Sequence, residues 1–114
     1  MKCITLHAEW AEAIFRLGKD VENRSWSTKF KGRILIHAGK SYSVQNLEAL
    51  GLAPDDLHCG HIIGSVEIVD CVTNSRSPWA LADSWHWILS KPKRLAQPIP
   101  AIGRLSIYDV EIKL

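Results

Sequence analysis

After Gly60 the chain runs HIIGSVEIVDCVT, the longest strand signal it contains. A strand of that length needs hydrogen-bonding neighbours along its edges, so the rest of the chain must supply a sheet. Candidates are present on both sides of it. KCITLHA alternates, with Ile4 and Leu6 on one side, and GRILIHAG reads as a buried strand. SWHWILSKPKRL starts as a strand with Trp85 and Trp87 on one face and His86 on the other. The prolines of QPIPA exclude a central strand there and leave an edge or a loop. RLSIYDVEIKL closes the chain, and its apolar phase shifts between Ile107 and Tyr108, which predicts a bulge at a barrel corner.

Two short helices interrupt these strands. EWAEAIFRLG places Trp10, Ile14 and Leu17 at helical spacing, with Ala11 and Phe15 widening the stripe. Gly18 ends that helix, because glycine takes the left-handed cap conformation freely. SVQNLEALG forms the second helix, capped by Gly51, and Pro54 with the two following aspartates makes a turn. The expected fold is therefore α+β: a small β-barrel or strongly curved sheet of five or six strands, with two short helices covering one opening.

A chain of 114 residues, 46% hydrophobic and 23% charged, suits one domain spanning 1–114. Its opening has one lysine and no long apolar run, so neither a signal peptide nor a membrane span is expected. Three cysteines are an odd number, which argues for a reducing compartment and a cytoplasmic address. The net charge of +2 is low for a duplex-binding module. Lysine and arginine do gather at Lys29, Lys31 and Arg33 and again at Lys91, Lys93 and Arg94, as solvated charge or as a patch for a few phosphates.

The segment GKDVENRSW follows the first helix and should be extended. Counting by twos puts Glu22 and Arg24 on one face, and Lys19 joins them only if the chain twists at its start. On spacing alone this is equally an exposed salt-bridged strand. HCGH offers His58, Cys59 and His61, but a structural zinc site needs a fourth ligand at a defined distance, so neither a metal nor a cofactor is expected. Trp87 and Trp85 suit the interior of a small barrel. Trp10 and Trp26 flank the charged segment and are candidate ligand contacts, while Trp79 lies in a loop that could close over the barrel.

GKDVENRSW also resembles the G-x-K-x-x-E-x-R pattern of ASCH domains, a family of the PUA-like superfamily. KGRILIHAGK is similar to that family's strand ending in His-Ala-x-Lys, and GHIIGSVEIVDCV to its long central strand. WHWILSKPKRLAQPIPAIG looks like its closing Pro-Ile-Pro-Ala and Gly signature. The resemblance implies a PUA-like barrel with a cleft beside the first helix, and a role in binding or processing RNA or a modified nucleoside.

Carried over by position, Lys19 and Glu22 become candidate catalytic residues, and Arg24, Trp10, Trp26, His37 and Lys40 candidate ligand or RNA contacts. Lys19 could act as a general base if burial and Arg24 outweigh Glu22; otherwise it stays cationic and holds a phosphate or polarises a carbonyl. In this chain Ala8 and Glu9 stand where many members have Gln-Pro. Glu22 stands where the acetylcytidine deacetylases of the family carry a threonine. Two functions follow as expectations: a reader of RNA or a modified nucleoside, or a small hydrolase using Lys19 and Glu22 as an acid–base pair.

Overall fold

The computed structural model describes residues 1–112. The elements, in order, are β1 (Lys2–Leu6), α1 (Ala8–Arg16), β2 (Val21–Arg24), β3 (Gly32–Ala38), α2 (Val44–Leu50), β4 (His61–Val72), β5 (Trp85–Pro100) and β6 (Ile107–Asp109), with a 3₁₀ turn at Pro54–Asp56. Six strands form one sheet in the order β2-β5-β4-β3-β1-β6, so the long strand after Gly60 lies inside the sheet, paired on both sides. Only β1 and β3 run parallel; the other pairs are antiparallel. The sheet curls into a half-barrel whose edge strands, β2 and β6, are not paired with each other.

The two faces of the sheet are both covered. Ile4 and Leu6 of β1, Ile34 and Ile36 of β3, Val66 and Ile68 of β4, and Trp87 of β5 meet Ala8, Ala11 and Ile14 of α1 in the main core. Each fully buried isoleucine or valine there contributes roughly 1.5–3 kcal/mol. On the opposite face a smaller cluster gathers Cys3, Leu35 and Ile62, with Ile99, Ala101 and Tyr108 packed against them. Alternation along β1 and β3 therefore sends Thr5 and His37 away from the helix, toward this second cluster.

Helix α1 approaches the sheet closely because Gly64 lets it. A Cβ built on Gly64 would stand 2.5 Å from Phe15 Cζ and 2.6 Å from the Lys93 carbonyl oxygen. The expected stripe of α1 faces the core, with Ala11 and Ile14 buried and Trp10 and Phe15 packed against them, except that Leu17 follows the helix and is exposed. Glu9 and Glu12 are also fully buried. Arg94 grips Glu12 with two hydrogen bonds, Nη2 to Oε2 at 2.7 Å and Nη1 to Oε1 at 3.2 Å, and Arg16 Nε adds a third at 2.9 Å. Arg94 thus ties β5 to α1, its guanidinium 5.4 Å from the Phe15 ring centre, and is not part of a free basic patch.

Helix α2 ends as its sequence predicts: the Ser43 hydroxyl accepts from Asn46 N, and Gly51 takes φ 70°. QPIP takes the edge position expected of it, at the end of β5, where Ile99 pairs with Ile62 and Pro100 with His61 on one side only. The prolines are tolerated because β2 pairs only with Trp85–Ile88, leaving the other edge of this half of β5 without a strand. Two other expectations about strands need correction. The bulge expected at Ile107 and Tyr108 is absent, since β6 is three residues long and pairs regularly with β1. Register shifts fall instead between β3 and β4, at Ile36 and His37, and at three places between β4 and β5, where the sheet curves. Trp85 is 37% exposed at the start of β5, unlike the buried Trp87.

Candidate functional site: a tryptophan-walled pocket floored by an ion pair

Gly18, at φ 73°, turns the chain sharply between α1 and β2. That turn swings Lys19 onto the side of Glu22, which the alternation of an extended strand would forbid. Lys19 is 5% exposed. Its Nζ donates to the Val21 carbonyl at 2.5 Å and to Glu22 Oε1 at 2.9 Å, and lies 6.0 Å from the centre of the Trp10 ring. An ammonium has three donors, so one remains to address a ligand. On the other side, Glu22 Oε2 stands 2.9 Å from Arg24 Nε.

The Lys19–Glu22 pair opens into a cavity of about 460 Å³. Trp10 of α1 forms one wall, Asn46 and Leu50 of α2 a second, and Pro78, Trp79 and Leu81 of the β4–β5 connection a third. That connection is pinned in place by side chains. Asn23 donates to the Trp79 carbonyl and accepts from Leu81 N, both at 2.9 Å, so its amide acts like a short strand for the loop. His86 accepts from Ser75 N at 3.1 Å through Nδ1 and bonds the Leu81 carbonyl at 2.6 Å through Nε2. Asp20 accepts from the Ser77 hydroxyl. Trp79 is therefore a fixed wall of the pocket, not a loose flap.

Asn46 was not singled out by sequence, and its role depends on Glu9. Glu9 Oε2 accepts from Ser43 N and from Asn46 Nδ2, each at 3.0 Å. A carboxylate only accepts, so the amide nitrogen must face Glu9, leaving the oxygen of Asn46 as the free acceptor. Glu9 Oε1 is buried without a hydrogen-bond partner among the described residues. No sequence signal announces this pairing, because Glu9 and Asn46 meet only when α2 packs beside α1.

The other expected contacts are distributed differently. Arg24 does not line the cavity; its Nη2 donates 3.1 Å across to the Thr5 carbonyl of β1. Trp26 packs edge-on against Trp87, ring centres 4.7 Å apart, and accepts a hydrogen bond from the Trp87 indole through its carbonyl. His37 and Lys40 border a second, separate cavity. Among the described residues no group of three His, Cys, Asp or Glu side chains is placed to hold a metal ion. His61 of HCGH instead bonds the Cys59 carbonyl at 2.9 Å, and all three cysteines are free.

A curled, open sheet with a helix packed in its hollow and a Lys-Glu-Arg segment leaving that helix is a PUA-like architecture. The family model for the ASCH domain matches residues 4–99, and the chain belongs to that family. It is 28% identical over 131 residues to Activating signal cointegrator 1 of Mus musculus and 26% identical over 131 residues to Activating signal cointegrator 1 of Homo sapiens. Each alignment covers 98% of this chain but only 22% of the relative, so the chain spans about a fifth of the length of these relatives. Among the described residues no helix is long and apolar enough to cross a membrane.

Proposed function

We propose that this ASCH domain is a reader that holds one base of an RNA, or a modified nucleoside, between Trp10 and Trp79. The observation that carries this reading is the buried Lys19–Glu22 pair, 2.9 Å apart, at the floor of a pocket walled by two indoles. Indole faces bind any planar base, and such stacking is worth roughly 1–3 kcal/mol per base. Lys19 supplies a donor, while Glu22 and Asn46 supply acceptors, so the pocket favours a ligand edge carrying both kinds of group. ASCH membership supports an RNA-related role for the chain.

The hydrolase alternative draws on the same pair, since a lysine beside a carboxylate could exchange a proton. Two features favour the reader. Among the described residues no serine, threonine or cysteine lines this cavity. The carboxylate also holds Lys19 in an ion pair, which suits a hydrogen-bond donor better than a base. The test is a tryptophan-fluorescence titration with nucleosides, acylated nucleosides and short single-stranded RNAs, with the same mixtures checked for turnover by chromatography. Saturable quenching without product supports the reader. Product formation that disappears in Lys19→Met would establish the hydrolase, and neither signal would remove both readings.

A further inference from the structure

The larger of the two cavities, about 750 Å³, lies outside the carboxyl ends of the parallel strands β1 and β3, and the reading above makes no use of it. It is bounded by Thr5–His7, His37, Gly39–Ser41, Gly60 and Pro100–Gly103.

Its floor is chemically closed. Cys3 Sγ donates to the Tyr108 hydroxyl at 3.4 Å, and the Tyr108 and Thr5 hydroxyls are 2.7 Å apart. Thr5 Oγ1 lies 3.2 Å from His37 Nδ1, and His37 Nε2 lies 2.7 Å from the Ala101 carbonyl. A carbonyl only accepts, so Nε2 carries a proton toward Ala101, while Nδ1, Thr5 Oγ1 and the Tyr108 hydroxyl bond to one another in a chain. Both ring nitrogens of His37 and the Thr5 hydroxyl are spent within the protein. Recognition therefore falls to the rim, where His7, Lys40 and Ser41 are exposed. No side-chain hydrogen bond or ion pair occupies these three among the described residues, and no carboxylate lines the cavity. Such a rim suits an anion that brings its own acceptor oxygens.

The two cavities draw on neighbouring stretches of the chain. His7, just before α1, lines one and Trp10 of α1 lines the other. Ser41 lines the first and Asn46 the second, and Glu9 pins the segment between them through Ser43 N and Asn46. A nucleotide strand leaving the tryptophan pocket can pass a phosphate over this segment.

We propose that the cavity at the carboxyl ends of β1 and β3 is a phosphate-holding subsite, formed by Lys40 and His7, for a single-stranded polynucleotide whose neighbouring base occupies the Trp10–Trp79 pocket. The proposal rests on the reader function and extends it to a strand of at least two nucleotides.

The experiment is a calorimetric titration of wild type, Lys40→Ala, Lys40→Arg and Lys2→Ala with a nucleoside, inorganic phosphate and a single-stranded trinucleotide at two salt concentrations. Lys40→Ala should weaken the trinucleotide by about threefold to tenfold and reduce its salt slope by about one, as for the loss of one phosphate contact. Nucleoside affinity should not change, Lys40→Arg should restore binding, and Lys2, exposed and paired to Asp109, should be silent. An unchanged trinucleotide affinity in Lys40→Ala overturns the subsite. Inorganic phosphate bound as tightly as the trinucleotide would overturn the strand and leave a free-anion site. A wild type that binds trinucleotide in a Lys40-dependent way but no nucleoside would overturn the tryptophan-pocket reading alone.

Discussion

Arg24 reaches from β2 at one edge of the open sheet to the Thr5 carbonyl of β1, 3.1 Å away, while its Nε stands beside Glu22. Thr5 lies just past the last β1 residue paired to β6, so its carbonyl is free to accept. The side chain thus bridges two strands that the backbone leaves unpaired, and it fixes the carboxylate at the pocket floor from behind. Arg24→Met should lose about 1.5–3 kcal/mol in chemical denaturation, the worth of a charged hydrogen bond. It should also weaken ligand binding although Arg24 does not line the pocket. Arg24→Lys should recover little, because an ammonium lacks the planar fork that spans two partners. Unchanged stability and affinity in both variants would remove the bridging role.

Gly64→Ala tests how α1 is seated. Its new methyl group would meet both Phe15 and the Lys93 carbonyl at under 3 Å. The expected cost is about 1–3 kcal/mol, in the range of overpacked cores, read as a lower melting temperature. Adding Phe15→Leu should recover only part of it, since the backbone carbonyl of Lys93 remains in the way.

Arg94→Met leaves Glu12 buried with Arg16 as its remaining cation. A buried carboxylate that loses a partner is costly, so a loss of about 1–3 kcal/mol is expected. The double variant Glu12→Met with Arg94→Met should be more stable than Arg94→Met alone, because no unpaired charge is left inside. Equal stability of the two variants would show that Arg16 suffices.

Burial is the main reason the Tyr108 hydroxyl is pushed up to about 12. In an unfolded chain the phenol loses its proton near pH 10. Between about pH 10 and 12 the unfolded state therefore binds fewer protons than the folded one, and stability falls as pH rises. Below that window the contribution is fully present. Urea midpoints measured across the window should drop for wild type and drop less for Tyr108→Phe; parallel curves would contradict the assignment.

Much of this architecture was readable in the sequence, and the reasons are local. Gly18 and Gly51 mark helix ends because glycine alone enters the left-handed region freely, and both do so here. The strand after Gly60 announced itself by length and composition. Glu9 and Glu12 were unreadable, because a glutamate in a helix signals solvent unless its partner is known, and Asn46 and Arg94 come from distant segments. The prolines of QPIP marked an edge or a loop because proline cannot donate to a ladder, and an edge is what this half of β5 provides. In the pocket, GKDVENRSW located the floor, but two of the walls come from α2 and the β4–β5 connection. His37 and Lys40 entered as candidate contacts through the resemblance alone, and they border the second cavity because the alternation of β3 sends His37 to the other face of the sheet.

The reader function requires ligand to bind over the Lys19–Glu22 pair, and calorimetry of wild type, Lys19→Met and Lys2→Met with one nucleoside or short RNA tests this most directly. Lys19→Met should weaken binding by about tenfold or more, since it removes a buried donor and leaves Glu22 unpaired on that side. Lys2→Met, altered at an exposed position beside Asp109, should bind as wild type does. Equal affinity for Lys19→Met and wild type would return the charged segment to a purely structural role.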